Sequence, residues 1–282
     1  MVDQTKQPFI SLAEAIQKRS SIRAYTGEPL AAEHLALLKG IASNIPRLTD
    51  TSVRFEFLEG IERVERILTG LIGSYGKVKG APVLIAGIAG AGPFQAESLG
   101  FSMEHLILEA ARQSIGTCWI SGTFDRQRVK DEISLAGGEE VLAVSPAGYA
   151  APSRSAAFVK VLVGSNKRKP LSQIVFADAW GNSAEGLLTG RIDLQRAAEA
   201  VRWAPSAVNQ QPWRLILTLS AAVLASVKPK NGLDNGIALA HWLIAARHEG
   251  LDGAWDLNPD HEALRKSLKL PAKAEVVGVY PL

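Results

Sequence analysis

The segment KRSSIRAY, Lys18 to Tyr25, places Arg19, Ser21 and Arg23 at alternate positions where a helical pattern gives way to extended chain. Side chains two apart on extended backbone share one face, so two guanidiniums and a hydroxyl would point the same way. Guanidinium donors match phosphate oxygens in pairs and stay charged at any relevant pH, which makes this a candidate phosphate cradle. The same residues also suit a solvated helix end, where cations meet terminal carbonyls and the helix dipole. A second segment is more specific: APSAVNQQPW, Ala204 to Trp213, joins a helical pattern to a strand-like one through two prolines that fix the loop at both ends. Ser206, Asn209 and Gln211 offer donors and acceptors suited to a flat heterocycle with imide groups, and the backbone can approach closely over Pro205 and Ser206. An ordinary helix-to-strand turn is the competing reading.

These segments sit in a chain that reads as one unit written twice. MEHLILEAARQSIGTCW (Met103 to Trp119) returns as LAHWLIAARHEGLDGAW (Leu239 to Trp255), pairing His105 with His241 and Ile115 with Leu251 at an offset of about 136 residues. Upstream, His34 to Ala42 parallels Gln195 to Ala204 at an offset nearer 160, and each stretch leads into a strand-like run, VRFEFL and WRLILTL. Both copies close on an apolar run with glycine and tyrosine, at Tyr149 and Tyr280. The shorter downstream offset implies that copy two lacks roughly two dozen residues, those answering to the helix and strand between Ile61 and Ala91. So long a period argues against a solenoid and for a fused dimer with a pseudo-twofold interface.

Alternating helical and strand-like runs predict a mixed α/β, or α+β, fold with central sheets flanked by helices. Ser11 and Glu14 form a capping box that starts a helix running to about Arg19. Further helices are expected near 31–43, 61–72, 97–114, 125–134, 194–203, 236–249 and 259–268. The expected organisation is one half over residues 10–150, a linker over 151–176 long enough to wrap a neighbouring unit, and a trimmed half over 177–282. With 47% apolar residues among 282, the chain can bury a large core. Acids and bases nearly balance at a net charge of +3, which gives little support for nucleic-acid binding. The single cysteine, Cys118, precludes an intrachain disulfide, suits a reducing cytoplasm, and reads as a small buried hydrophobe. The longest apolar run, PVLIAGIAGAG from Pro82, is too short to span a bilayer, and the polar start MVDQTKQP has no signal-peptide core. A cytoplasmic location without membrane contact is expected. His105 and His241 lie on apolar helices with no metal-ligand spacing near them, and are expected to be core or helix-linking residues.

Taken together, RSSIRAY, GAPVLIAG, AARQSIGTCWISGTF, PAGYA with KRKPL, and APSAVNQQPW resemble the FMN-dependent nitroreductase superfamily, and in particular the subgroup in which two protomers are fused in one chain. The resemblance implies a flavin at the interface between halves. Arg19, Ser21 and Arg23 of copy one would hold the phosphate, while Pro205, Ser206 and Asn209 of copy two face the ring beside Gln211. It further implies Lys77 near the pyrimidine edge, with Lys79 as its rival in register, Gly122 offering a backbone amide to flavin N5, and Lys167 with Arg168 as a late basic pair on the phosphate. Copy two reads GNSAEG (Gly181 to Gly186) in place of RSSIR, and copy one reads IASNIPRLTD (Ile41 to Asp50) in place of APSAVNQQPW, so one complete site per chain is expected.

The activity so implied is ping-pong: NAD(P)H gives hydride to FMN and leaves, then a nitroaromatic, quinone or similar small electron acceptor takes the electrons. No catalytic residue is assigned, because solvent can supply the protons. The alternative is an FMN-binding storage or sensing protein without efficient turnover. Fusion of the two halves makes a monomer the expected assembly.

Overall fold

The computed structural model describes residues 10–69, 78–152 and 167–282. In the first half, helices α1 (Leu12–Lys18) and α2 (Ala32–Ser43) precede β1 (Val53–Glu59), α3 (Ile61–Leu68), β2 (Val83–Ala89), the long α4 (Gln95–Arg112), β3 (Gly116–Thr117), α5 (Arg126–Lys130) and β4 (Glu140–Gly148). The second part contains α6 (Leu171–Ile174), β5 (Val175–Ala177), α7 (Glu185–Gly190), α8 (Ile192–Trp203), β6 (Trp213–Leu217), β7 (Ala221–Ser226), the long α9 (Gly232–His248), α10 (His261–Ser267) and β8 (Glu275–Pro281). Two four-stranded sheets result, ordered β1-β2-β4-β3 and β5-β6-β7-β8. The fold is mixed α+β, as the alternating pattern predicts.

The repeat is visible strand by strand. β1, β2 and β4 pair antiparallel as do β6, β7 and β8, and the register slips once in each set, between Gly87 and Ile88 and between Leu224 and Ala225. β5 adds to the edge of the second sheet, parallel to β6. Both long helices end alike: Ser114 and Gly250 take left-handed backbone (φ 58° and 79°), and the next amide, of Ile115 or Leu251, donates back to Ala110 or Ala246.

The expected loss of a strand from copy two does not occur. Copy two keeps the strand answering to β2, since β7 follows β6 through a tight turn in which the Thr218 amide donates to Ala221. What it lacks is the counterpart of α3 and its connection. β7 is the middle strand that β8 pairs with, so deleting it would strand half the ladder, whereas an outer helix can be shed. Helix limits also shift by a few residues: α9 begins four residues earlier than expected, and α5 is confined to Arg126–Lys130.

The halves meet through α4 and α9, whose crossing is closed by two glycines. A Cβ on Gly100 would strike the Leu233 carbonyl, and a Cβ on Gly236 would strike the Glu97 carbonyl. Gly100 answers to Gly236 and Glu97 to Leu233 at the repeat offset, so the contact is reciprocal, as an isologous interface requires. Around it, Ala15, Ile16, Phe101 and Leu108 of the first half pack in one core with Trp213, Leu239 and Trp242 of the second.

Candidate functional site at the seam between halves

The capping box forms as expected, with the Ser11 hydroxyl accepting from the Glu14 amide and the Glu14 carboxylate accepting from the Ser11 amide. The helix it starts ends at Arg19 (φ −57°, ψ 130°), where the chain turns extended. From there the backbone is tied on both sides: the Ile22 amide donates to Thr117, the Lys79 amide to Arg23, and the Tyr25 amide to Lys79. Burial pushes the thiol of Cys118 up, against the opposing influence of Arg23, Ser21 and Arg19. Cys118 is buried, as a small core residue would be.

Arg19 is only 6% exposed at its side chain, and its Nε lies 3.8 Å from the fully buried carboxylate of Glu104. Neither Nε nor Nη1 of Arg19 has a hydrogen-bond partner. Glu104 also accepts from the Trp119 indole at 2.6 Å and contacts Nε2 of His241, from the other half, at 2.9 Å. Burial raises the pKa of this carboxyl, but His241, Arg19 and Trp119 together bring it below the ordinary value.

On the other side of the seam, Ala204 ends α8 and the loop to β6 begins. Pro205 forces extended backbone on the residue before it, and Ala204 complies at ψ 136°. Val208, Asn209 and Gln211 then adopt left-handed backbone (φ 46°, 54° and 49°). For a β-branched residue this is costly, about 1–3 kcal/mol, and persists only where the surroundings impose it. Here they do. The Ser206 hydroxyl accepts from the Gln211 amide, the Lys169 ammonium donates to the carbonyls of Gln210 and Gln211, and the Asp234 carboxylate accepts from the Ala207 amide. Asn209 Nδ2 donates to the Lys167 carbonyl while its Oδ1 accepts from Arg168 at 2.7 Å. Gln211 is 2% exposed, and its amide bonds to Lys167, Lys169 and Asn209. Its polar capacity is spent shaping the loop.

Arg168 joins the two sides. It donates to Asn209 and to the Trp203 carbonyl, stacks 5.9 Å over the Trp203 ring, and leaves Nε unpaired and buried. Its pKa falls to about 10 because burial, then the charges of Arg19 and Arg202, disfavour the cation. Guanidiniums from residue 19 and residue 168 are therefore neighbours with unsatisfied donors. Such a cluster is electrostatically incomplete, and a bound anion would complete it.

The structure thus brings Arg19, Arg168 and Asn209 together, with Ser206 in the same loop as Asn209. Lys167 is exposed and enters through its backbone carbonyl. Gly122 lies in an exposed bend after β3, with open space where a Cβ would stand. Lys77 falls outside the described residues, while its rival Lys79 is fixed beside Arg23 by backbone pairing.

The pseudosymmetric positions are built differently. Asn182 and Ser183 turn back on β5, and Trp180 covers the turn by packing 5.2 Å from Phe176. In half one, Thr49 is bonded to Ser98, and Ser102 donates to the Pro46 carbonyl, so that loop lies down on α4. Ser98 answers to Asp234, and each secures a loop that leads into a strand, β1 in the first half and β6 in the second.

Sequence reasoning passed over Glu104, Asp234, Lys169 and Trp203. For Glu104 a signal was present: it is an acid on an apolar helix where the repeat has Ala240. Asp234 carries a prediction. Burial raises its pKa to about 6 from an ordinary 3.8, so the folded state holds this proton more tightly than the unfolded one. Its contribution is fully present below pH 4 and declines as pH rises to about 6, by about 3 kcal/mol. Burial lowers the pKa of His105 to about 4, which adds stability as pH rises over the same window, so the Asp234 effect is read as a difference: between pH 4 and 7 the melting temperature of wild type is expected to fall relative to that of Asp234→Asn. Identical profiles would remove Asp234 as the cause.

Comparison with known proteins agrees with this architecture. A family model described as "Putative TM nitroreductase" matches residues 11–246. A protein of Thermotoga maritima MSB8 described as a "putative nitroreductase" superposes over 100% of this chain and 97% of its own, with a TM-score of 0.61 at 18% identity. A nitroreductase family protein from Clostridium novyi NT covers 62% of this chain and 97% of its own, with a TM-score of 0.44 at 20% identity. A nitroreductase with bound FMN from Bacteroides fragilis NCTC 9343 covers 50% of this chain and 89% of its own, with a TM-score of 0.42 at 17% identity. No curated protein matches the chain. Since the family model spans most of the sequence, the chain belongs to this nitroreductase family.

Proposed function

We propose that the protein is an FMN-dependent NAD(P)H oxidoreductase with one composite flavin site at the seam. The observation that carries this reading is the pair of buried guanidiniums, Arg19 of the first half and Arg168 beside the second half's Asn209 loop, with Nε and Nη1 of Arg19 and Nε of Arg168 unpaired. A phosphate monoester fits that donor set. Arg19, Ser21, Arg23 and Arg168 would hold it, and the Pro205–Ser206–Asn209 loop would border the ring. FMN, when bound, supplies two-electron transfer between a reduced nicotinamide and an oxidised acceptor.

The chain's own work is then binding and orientation. Asn209 is locked by Arg168 and Lys167, and the left-handed backbone at Val208, Asn209 and Gln211 is held by Asp234, Ser206 and Lys169, so the loop is shaped before any ligand arrives. Preorganisation of this kind lowers the ordering cost of binding. Nitroaromatics, quinones and similar conjugated electrophiles are the acceptor classes proposed, and the fused halves are proposed to act as a monomer.

The test is anaerobic. Protein reconstituted with FMN is mixed with NADPH or NADH, and bleaching of the flavin is followed; a quinone is then added and recovery is followed. Reduction and reoxidation within seconds are expected. A bound flavin that stays oxidised with both nicotinamides would instead favour storage or sensing, and a chain that takes up no FMN would contradict the site itself.

A further inference from the structure

Glu104 is fully buried at the seam and touches three polar groups from different parts of the chain, His241, Trp119 and Arg19. Burying a carboxylate is costly unless its partners repay it, so its presence calls for a reason. The duplication supplies an internal control. At the repeat offset Glu104 answers to Ala240, and the second half packs an equally buried helix without any acid there. That half also lacks the cation, since GNSAEG stands where RSSIR stands in the first. Acid and arginine are present together in one half and absent together in the other. The helix does not need the carboxylate in order to pack; Arg19 is the group that goes with it.

The geometry supports the same pairing. At 3.8 Å the Glu104–Arg19 contact is an ion pair rather than a hydrogen bond, and it leaves Nε and Nη1 of Arg19 without partners. The carboxylate holds the guanidinium by charge without consuming those donors. His241 fixes the carboxylate in turn: its Nδ1 lies 2.7 Å from the Ala200 carbonyl and its Nε2 2.9 Å from Glu104. The equivalent His105 places its Nδ1 2.8 Å from the Phe101 carbonyl of its own helix and its ring against the Phe101 ring.

We infer that Glu104 is a positioning residue of the anion cradle, anchored across the seam by His241, so that the phosphate-binding arginine of one half is set in place by the other. This rests on the flavin reading above. The test compares FMN with riboflavin, which lacks the phosphate, by fluorescence quenching in wild type, Glu104→Gln and Glu104→Asp. In Glu104→Gln, FMN affinity is expected to fall at least tenfold with riboflavin affinity unchanged, and Glu104→Asp is expected to recover part of the loss. A merely structural role would weaken both ligands alike. If wild type prefers FMN over riboflavin and Glu104→Gln keeps the same preference, the inference is overturned while the flavin reading stands. A wild-type chain that binds neither overturns both. Should Glu104→Gln fail to fold, the Trp119 indole N–H resonance of wild type serves instead, because that group donates to Glu104. Inorganic phosphate should shift it saturably, and an unmoved resonance overturns the inference.

Discussion

Gly236→Ala is expected to destabilise the chain by about 3 kcal/mol or more and to loosen the two halves from one another. The added methyl would stand inside van der Waals contact of the Glu97 carbonyl and close to the Phe101 amide, both backbone groups of the long helix opposite. Side chains can rotate away from a clash, whereas helix backbone moves only if the whole crossing widens, and overpacking of this kind commonly costs about 1–3 kcal/mol, sometimes more. Widening would also open the shared core around Phe101, Leu239 and Trp242. Gly186→Ala is the matched control: it lies in α7 with nothing near the position of a Cβ and no left-handed backbone. It should be neutral or slightly stabilising. Urea unfolding of both variants checks this, and equal midpoints would show that the helix crossing does not depend on its glycines.

The second large effect concerns charge. Arg19→Gln and Arg168→Gln together should weaken FMN binding at least a hundredfold, since each charge-assisted hydrogen bond contributes about 1.5–3 kcal/mol and every 1.4 kcal/mol is tenfold. The two residues lie far apart in sequence and on opposite sides of the masonry between halves, yet Arg168 feels the charge of Arg19. Their effects should therefore be coupled rather than additive. Stabilisation of the folded chain by excess FMN should shrink in step, because ligand-linked stability follows affinity. A double variant that melts and binds as wild type does would place the phosphate elsewhere.

Much of this was legible in the residues. The repeat of His105 and Trp119 in His241 and Trp255 foretold two like helices and a pseudo-twofold interface, and the glycines where those helices cross obey the same offset. The change from helix to extended chain at Arg19 was legible in the end of the helical pattern at KRSSIRAY. Less legible was anything set by tertiary partners. Gln211 reads as a ligand-facing amide but turns inward, because left-handed backbone at three loop residues requires internal bonds to sustain it. The retained strand β7 was hidden by an offset change that arithmetic alone could not assign to helix or strand. Arg168 read as one of a late basic pair, and only its position beside Trp203 and Asn209 distinguishes it from exposed Lys167.

The central claim is that each chain builds one anion-and-ring site from both halves. Titration of purified chain, stripped of any bound flavin, with FMN and readout by flavin fluorescence and absorbance measures this directly. Saturation at one FMN per chain, with the affinity lowered at least tenfold both by Arg19→Gln in the first half and by disruption of the Asn209 loop in the second, is the expected result. Saturation at two per chain, or at one that either change leaves intact, would contradict it.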